Sequence, residues 1–85
     1  MVPVVIYTRA YCSYCTWAKA LLRRKGVAFD EIDVTGHRER RAEMIQRANG
    51  ETTTPQIFIG STHVGGCEEL YALERAGRLD VLLAA

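Results

Sequence analysis

Val2-Pro3-Val4-Val5-Ile6-Tyr7-Thr8-Arg9-Ala10-Tyr11-Cys12-Ser13-Tyr14-Cys15 sets a β-branched run directly ahead of a Cys-x-x-Cys pair. The run over residues 2–7 predicts a strand, with Pro3 close enough to its start to be tolerated. Residues 8–11 predict a loop. From Ser13 onward Tyr14, Ala18, Leu21 and Leu22 follow helical spacing, Arg23, Arg24 and Lys25 fill the last turn, and Gly26 stands where a helix stops. The two thiols therefore fall at a strand-to-helix junction, on the opening turn of the helix.

A thiol reacts as its thiolate, and the first N–H groups of a helix have no intrahelical partner, so they stabilise an anion there. Thiols so placed ionise at roughly pH 3.5–7.5 instead of ~8.5. Cys12 is the expected nucleophile. Cys15, nearly one turn on, lies within disulfide reach and is the expected resolving thiol. Arg9 and Lys19 flank the pair and could add positive potential. The competing reading is half of a zinc site, but His37, His63 and Cys67 are not spaced as a second ligand pair. The histidines are expected at the surface. Cys67 is expected to pack as a small residue at a helix entrance and to take no part in catalysis.

Residues 28–33 predict a second strand. After the Thr35-Gly36 turn, Arg41, Met44, Ile45 and Ala48 mark one stripe of a helix that ends at Asn49-Gly50. Residues 56–59 and 62–64 predict a hairpin across Gly60-Ser61. Residues 67–76 predict a third helix with Glu68 and Glu69 in its first turn, and residues 79–83 a short terminal one. The expected fold class is α/β, a four-stranded mixed sheet flanked by helices in the order βαβαββα, with a right-handed first crossover. Residues 1–85 are expected to form a single domain.

Eleven basic against ten acidic side chains give a net charge of +1, so there is no global basic field for nucleic acid. The runs 23–25 and 38–41 read as solvated helix faces, with Glu39 and Glu43 interleaved. Trp17 is expected either to contact a protein partner or to cover Leu21. Three cysteines do not make the even framework of a secreted disulfide scaffold, and no apolar stretch approaches the ~20 residues of a membrane span. A cytoplasmic monomer, associated with neither membrane nor nucleic acid, is expected.

Four motifs together resemble the glutaredoxins, of the thioredoxin superfamily, along essentially the whole chain. They are Tyr7-Thr8, Cys12-Ser13-Tyr14-Cys15, Thr53-Thr54-Pro55-Gln56-Ile57-Phe58-Ile59 and Gly65-Gly66-Cys67-Glu68-Glu69-Leu70. The resemblance implies a thioredoxin-like fold, a cis peptide before Pro55, and glutathione as co-substrate with no tightly bound cofactor. It implies reduction of protein–glutathione mixed disulfides and protein disulfides through Cys12 and Cys15. It also implies a glutathione site: the Thr54 backbone for the cysteinyl part, with Thr53, Pro55 and Gly66 beside it, and the N–H groups of Cys67 and Glu68 for the γ-glutamyl carboxylate. Glu68 would meet the ammonium, Arg9 and Arg41 the glycyl carboxylate, and Tyr14 the groove edge.

Two residues depart from the family's commoner pattern: Ser13 stands where many dithiol members have proline, and Thr54 where valine is common. Some family members with this serine hold a 2Fe-2S cluster between two subunits, so a cluster-carrying dimer is an alternative. A thioredoxin-like reductant served by a flavoprotein reductase is another, although the chain lacks Trp-Cys-Gly-Pro-Cys.

Overall fold

The computed structural model describes residues 2–85. Its elements are β1 (Val4–Thr8), α1 (Ser13–Arg24), β2 (Asp30–Asp33), α2 (Arg38–Arg47), β3 (Gln56–Ile59), β4 (Thr62–Gly65), α3 (Cys67–Arg75) and α4 (Leu79–Ala84). The strands form one mixed sheet in the order β2-β1-β3-β4. β1 runs parallel to β2, with Val5 opposite Asp30 and Thr8 opposite Asp33, and antiparallel to β3, with Ile6 opposite Ile57. β4 pairs antiparallel to β3, with an irregularity between Ile57 and Phe58.

Side chains alternate across a strand, so β1 and β3 each feed both faces of the sheet. Val4, Ile6, Ile57 and Ile59 join Ala18, Leu21 and Leu22 of α1, Leu70 of α3, and Leu79 and Leu83 of α4 in one cluster. Tyr7 and Phe58 face the other way, onto Met44 of α2, its C-cap Ala48 and Val34. Burying an aliphatic side chain of this kind contributes about 1.5–3 kcal/mol, so these two clusters are the main attraction between sheet and helices.

A polar clamp adds to the second cluster. The fully buried Tyr7 donates its hydroxyl to Glu43 Oε1 and accepts from Arg47 Nη1 at 2.7 Å, and the Arg47 guanidinium lies 4.5 Å from the Phe58 ring centroid. Burial and the Glu43 hydrogen bond push the Tyr7 phenol above its ordinary pKa.

Several boundaries and contacts differ from expectation. β1 begins at Val4, because Pro3 has no N–H to give the ladder, and it extends through Thr8, whose carbonyl accepts from Val34 N at 2.8 Å. β2 begins at Asp30 instead of residue 28; Phe29 packs against the first cluster, under the Arg23 guanidinium. On α1, Tyr14 is 60% exposed and Cys15 takes its place in the buried stripe with Ala18, Leu21 and Leu22. Trp17 is 56% exposed and meets Tyr14 edge-on at 5.6 Å between centroids. In the α2 stripe, Met44 and Ala48 are buried while Arg41 is exposed.

His63 is a further correction: it is half-buried, stacks on Phe58 at 4.9 Å, and places Nε2 2.7 Å from Gln56 Oε1. His37 is exposed. No helix among the described residues is long and apolar enough to cross a membrane.

Candidate active site

The loop leaving β1 turns at Tyr11, whose φ of 57° redirects the chain so that Cys12 enters α1 as its N-cap, in extended conformation. The N-cap position faces unpaired backbone donors. One of them, Cys15 N–H, donates to Cys12 Sγ at 3.1 Å, and Thr16 N–H closes the turn onto the Cys12 carbonyl at 3.2 Å. No acidic side chain occupies the first turn of α1 to oppose negative charge on that sulfur. Cys12 and Cys15 are joined as a disulfide, with Cα atoms 5.2 Å apart. Cys15 is buried, and Cys12 is half-buried.

Opposite Cys12 lies the Thr54–Pro55 peptide, which is cis. The Thr54 carbonyl oxygen and Oγ1 each lie 3.7 Å from Cys12 Sγ, and Arg9 Nε–H donates to Thr54 Oγ1 at 3.1 Å. The approach to this peptide is held from below by Gln56. Fully buried on β3, it donates from Nε2 to the Thr53 carbonyl at 3.0 Å and offers Oε1 to His63. Nothing in the sequence pattern singled out Gln56 or His63 for this, because the pairing is across a hairpin with a register irregularity.

An open groove of about 940 Å³, in the range of small-molecule sites, runs along these residues. One wall carries Arg9, Ala10, Tyr11 and Tyr14; the floor is the 51–55 segment, including Thr53, Thr54 and Pro55; the far end is Gly66, Cys67, Glu68 and Glu69. Arg41 and Thr35 close the remaining side. Every residue that the resemblance implies for the glutathione site thus lines one groove. Cys12 and Cys15 line an adjoining hollow with Thr8, Lys19 and Glu31, which shares Arg9, Ala10 and Tyr11 with the groove, and Cys12 Sγ lies 3.7 Å from Thr54 Oγ1.

Residues that sequence reasoning missed include Thr35, whose Oγ1 accepts from Ala10 N–H at 2.8 Å and so pins the active-site loop. A threonine in a turn carries no signal of that distant contact.

Charge is distributed unevenly around the groove. Neither Arg9 nor Arg41 takes part in an ion pair among the described residues. Lys19, in contrast, is paired with Glu31 at 3.0 Å. The Thr8 hydroxyl, donating to Glu31 Oε2 at 2.7 Å, is the chief reason that carboxyl lies below its usual range, with Lys19 adding to it against burial.

At the far end, Gly65 has φ +110°, and a Cβ there would lie 3.0 Å from Glu69 Oε1, so only glycine fits the entrance to α3. Glu69 accepts the Gly66 N–H at 2.7 Å, while Glu68 is exposed and takes part in no ion pair among the described residues. Burial, reinforced by Glu69 and Glu68, pushes the Cys67 thiol up, which keeps it protonated. Among the described residues no group of three or more His, Cys, Asp and Glu is placed to hold a metal ion.

The glutaredoxin family model matches residues 4–64. A glutaredoxin of Pseudomonas aeruginosa is 64% identical over 85 residues, covering 100% of both chains. The solution structure of a glutaredoxin from Brucella melitensis superposes with a TM-score of 0.85 at 63% identity, over 98% of this chain and 89% of that one. A buckwheat glutaredoxin–glutathione complex superposes equally well, TM-score 0.85, at 30% identity over 98% of this chain and 77% of that one. With its dithiol on a helix N-terminus, its cis Thr54–Pro55 peptide and this likeness along nearly its full length, the chain belongs to the glutaredoxin family, the glutathione-dependent thiol–disulfide oxidoreductases.

Proposed function

We propose that the chain reduces protein–glutathione mixed disulfides, and protein disulfides, with glutathione as electron source. The observation that carries this is Cys12 Sγ at the α1 N-cap, half-buried, across from the Thr54–Pro55 backbone at the edge of a peptide-sized groove. The Cys12 thiolate attacks the glutathione sulfur of a mixed disulfide; a new S–S bond forms, the old one breaks, and the target protein leaves as its thiolate and takes up a proton. A second glutathione thiolate then attacks the bound glutathione, forming glutathione disulfide and returning the Cys12 thiolate. For a protein disulfide, Cys12 forms the mixed bond to the target and Cys15 displaces it, leaving the Cys12–Cys15 disulfide for two glutathiones to reduce.

The groove can orient the tripeptide through its whole length. Thr54 offers backbone N–H and C=O to the cysteinyl unit, with Thr53, Pro55 and Gly66 beside it. Cys67 and Glu68 present helix-start N–H groups to the γ-glutamyl carboxylate. Glu69 is occupied by Gly66 N–H, so Glu68 is the carboxylate left for the ammonium. Arg9 and Arg41 supply positive charge for the glycyl carboxylate, and Tyr14 forms the groove edge. Cys67, protonated and buried, contributes its backbone alone.

A glutathione-ligated 2Fe-2S dimer is a second reading, favoured by Ser13 at the helix start, where many dithiol relatives have proline. As the resemblance implies, Cys12 and one glutathione from each of two chains would hold the cluster. Turnover of a glutathionylated peptide, with glutathione or a flavoprotein reductase as donor, tests the proposal. Cys12→Ser is expected to abolish turnover and Cys15→Ser to retain deglutathionylation; activity surviving in Cys12→Ser, or supported by the reductase alone, refutes it. Anaerobic reconstitution with iron, sulfide and glutathione tests the second reading, which a colourless monomer removes.

A further inference from the structure

Cys12 Sγ faces two hydrogen-bond donors, and one of them is a side chain. The backbone N–H of Cys15 lies 3.1 Å away, and the hydroxyl of Thr54 lies 3.7 Å away. What the hydroxyl does with its proton is decided by its other neighbour. Arg9 Nε–H donates to Thr54 Oγ1 at 3.1 Å, and a guanidinium has no acceptor to offer in return. Oγ1 therefore spends a lone pair on Arg9 and keeps its own proton to donate. Cys12 Sγ is within reach for a sulfur acceptor. The β-branch restricts the Thr54 side chain to few rotamers, and the cation on Oγ1 polarises the O–H bond toward its acceptor.

From this geometry we infer that the Thr54 hydroxyl, held and polarised by Arg9, is a donor to the Cys12 thiolate and biases the Cys12–Cys15 pair toward its reduced form. A disulfide sulfur is a weak acceptor and a thiolate is a strong one, so the same O–H contributes more after reduction than before it. The exchange concerned is Cys12–Cys15 disulfide plus two glutathione thiols giving the dithiol plus glutathione disulfide. Two electrons pass from the glutathiones to the pair, and one of the two thiols formed, Cys12, gives its proton to solvent. Stabilising the reduced form makes the pair a stronger oxidant. Thr54 touches the reacting sulfur. Arg9 acts through Thr54 and is a positioning residue in this respect, apart from any contact it makes with substrate.

The inference deepens the assignment of Cys12 as nucleophile and rests on it. The test is the pH dependence of Cys12 alkylation in the reduced full-length chain, together with the equilibrium of the pair against glutathione, for wild type, Thr54→Val, Thr54→Ser and Arg9→Gln. Valine keeps the shape and removes the donor; serine restores the donor without the methyl. A hydrogen bond to a charged acceptor of this length corresponds to a rise of about half to one pKa unit in Thr54→Val, or a ~3- to 10-fold loss of thiolate preference. The glutathione equilibrium should move by a similar factor toward the disulfide, and Thr54→Ser should lie near wild type. Arg9→Gln should raise the Cys12 pKa in wild type and change it much less in the Thr54→Val background, as a shared path requires.

A Thr54→Val protein that titrates like wild type overturns the inference. So does a Thr54→Ser protein that behaves like Thr54→Val, or an Arg9→Gln shift of full size in the absence of the hydroxyl. A wild-type Cys12 that ionises only where free thiols do removes the nucleophile assignment itself, and the hydroxyl's role with it. A low wild-type value that Thr54→Val leaves unmoved sinks the hydroxyl's role alone.

Discussion

Cys15 turns its backbone N–H toward Cys12 Sγ at 3.1 Å while its own side chain is packed into the core at 2% exposure. The same residue thus supports charge on its partner's sulfur and keeps its own sulfur from approaching substrates.

Alkylation should separate the thiols. After full reduction, limiting iodoacetamide at neutral pH is expected to modify Cys12 alone, because Cys15 and Cys67 are buried and burial pushes the Cys67 thiol up. Peptide mapping by mass spectrometry reads the outcome. Label appearing first on Cys67 would contradict the packing of α3.

Arg41 lies on the groove side, exposed and unpaired among the described residues. Solvent-exposed charge pairs contribute about 0.2–1 kcal/mol, so Arg41→Ala should raise KM for a glutathionylated peptide about two- to fivefold with kcat little changed. The difference should shrink as salt is raised. An equal loss in kcat would show that Arg41 acts on the chemical step.

Glu68 and Glu69 should part company despite being neighbours. Glu69 caps the Gly66 N–H at 2.7 Å, so Glu69→Ala should cost about 1 kcal/mol in urea unfolding and weaken glutathione binding as well. Glu68→Ala should weaken binding at nearly unchanged stability. Matched unfolding midpoints for the two variants would argue against the cap.

Acid sensitivity should trace partly to Glu31. Its carboxyl is held below the usual range by the Thr8 hydroxyl first, with Lys19 assisting, so folding favours the anion. That contribution is fully present above the ordinary glutamate pKa, near 4.3, and is lost as pH falls through the lowered folded value. With the Glu31 side chain 36% exposed, solvent screening limits the effect to about 1 kcal/mol. Glu31→Gln should therefore unfold earlier than wild type in urea at pH 7, and the gap should narrow as pH falls below the ordinary glutamate range; a gap independent of pH would assign the loss to packing.

Much of the site was legible because its parts are local. Helix-start thiols, a C-terminal glycine such as Gly26, and acidic residues opening α3 follow from spacing within one turn. The sites that escaped rest on side-chain hydrogen bonds that spacing does not mark, those of Thr35 and Tyr7 across long separations. Thr35 meets Ala10, Gln56 meets His63 and Thr53, and Tyr7 meets Glu43 and Arg47. Tyr14 misled for a different reason: spacing places it beside the buried stripe, but an aromatic ring at the edge of a helix face can turn either way, and here it turns to solvent against Trp17.

The residue types at the strand-to-helix junction, the order of the elements and the motifs of the family could all be read from the chain alone, since each depends on neighbours a few positions away. Tertiary structure alone decided that the Thr54 hydroxyl lies between Arg9 and Cys12, that Lys19 is paired with Glu31, and that Cys15 and not Tyr14 fills the core. Those outcomes depend on how β1 pairs with β2 and β3, which brings together residues far apart in the chain; the periodicity of one element does not specify its neighbour across the sheet.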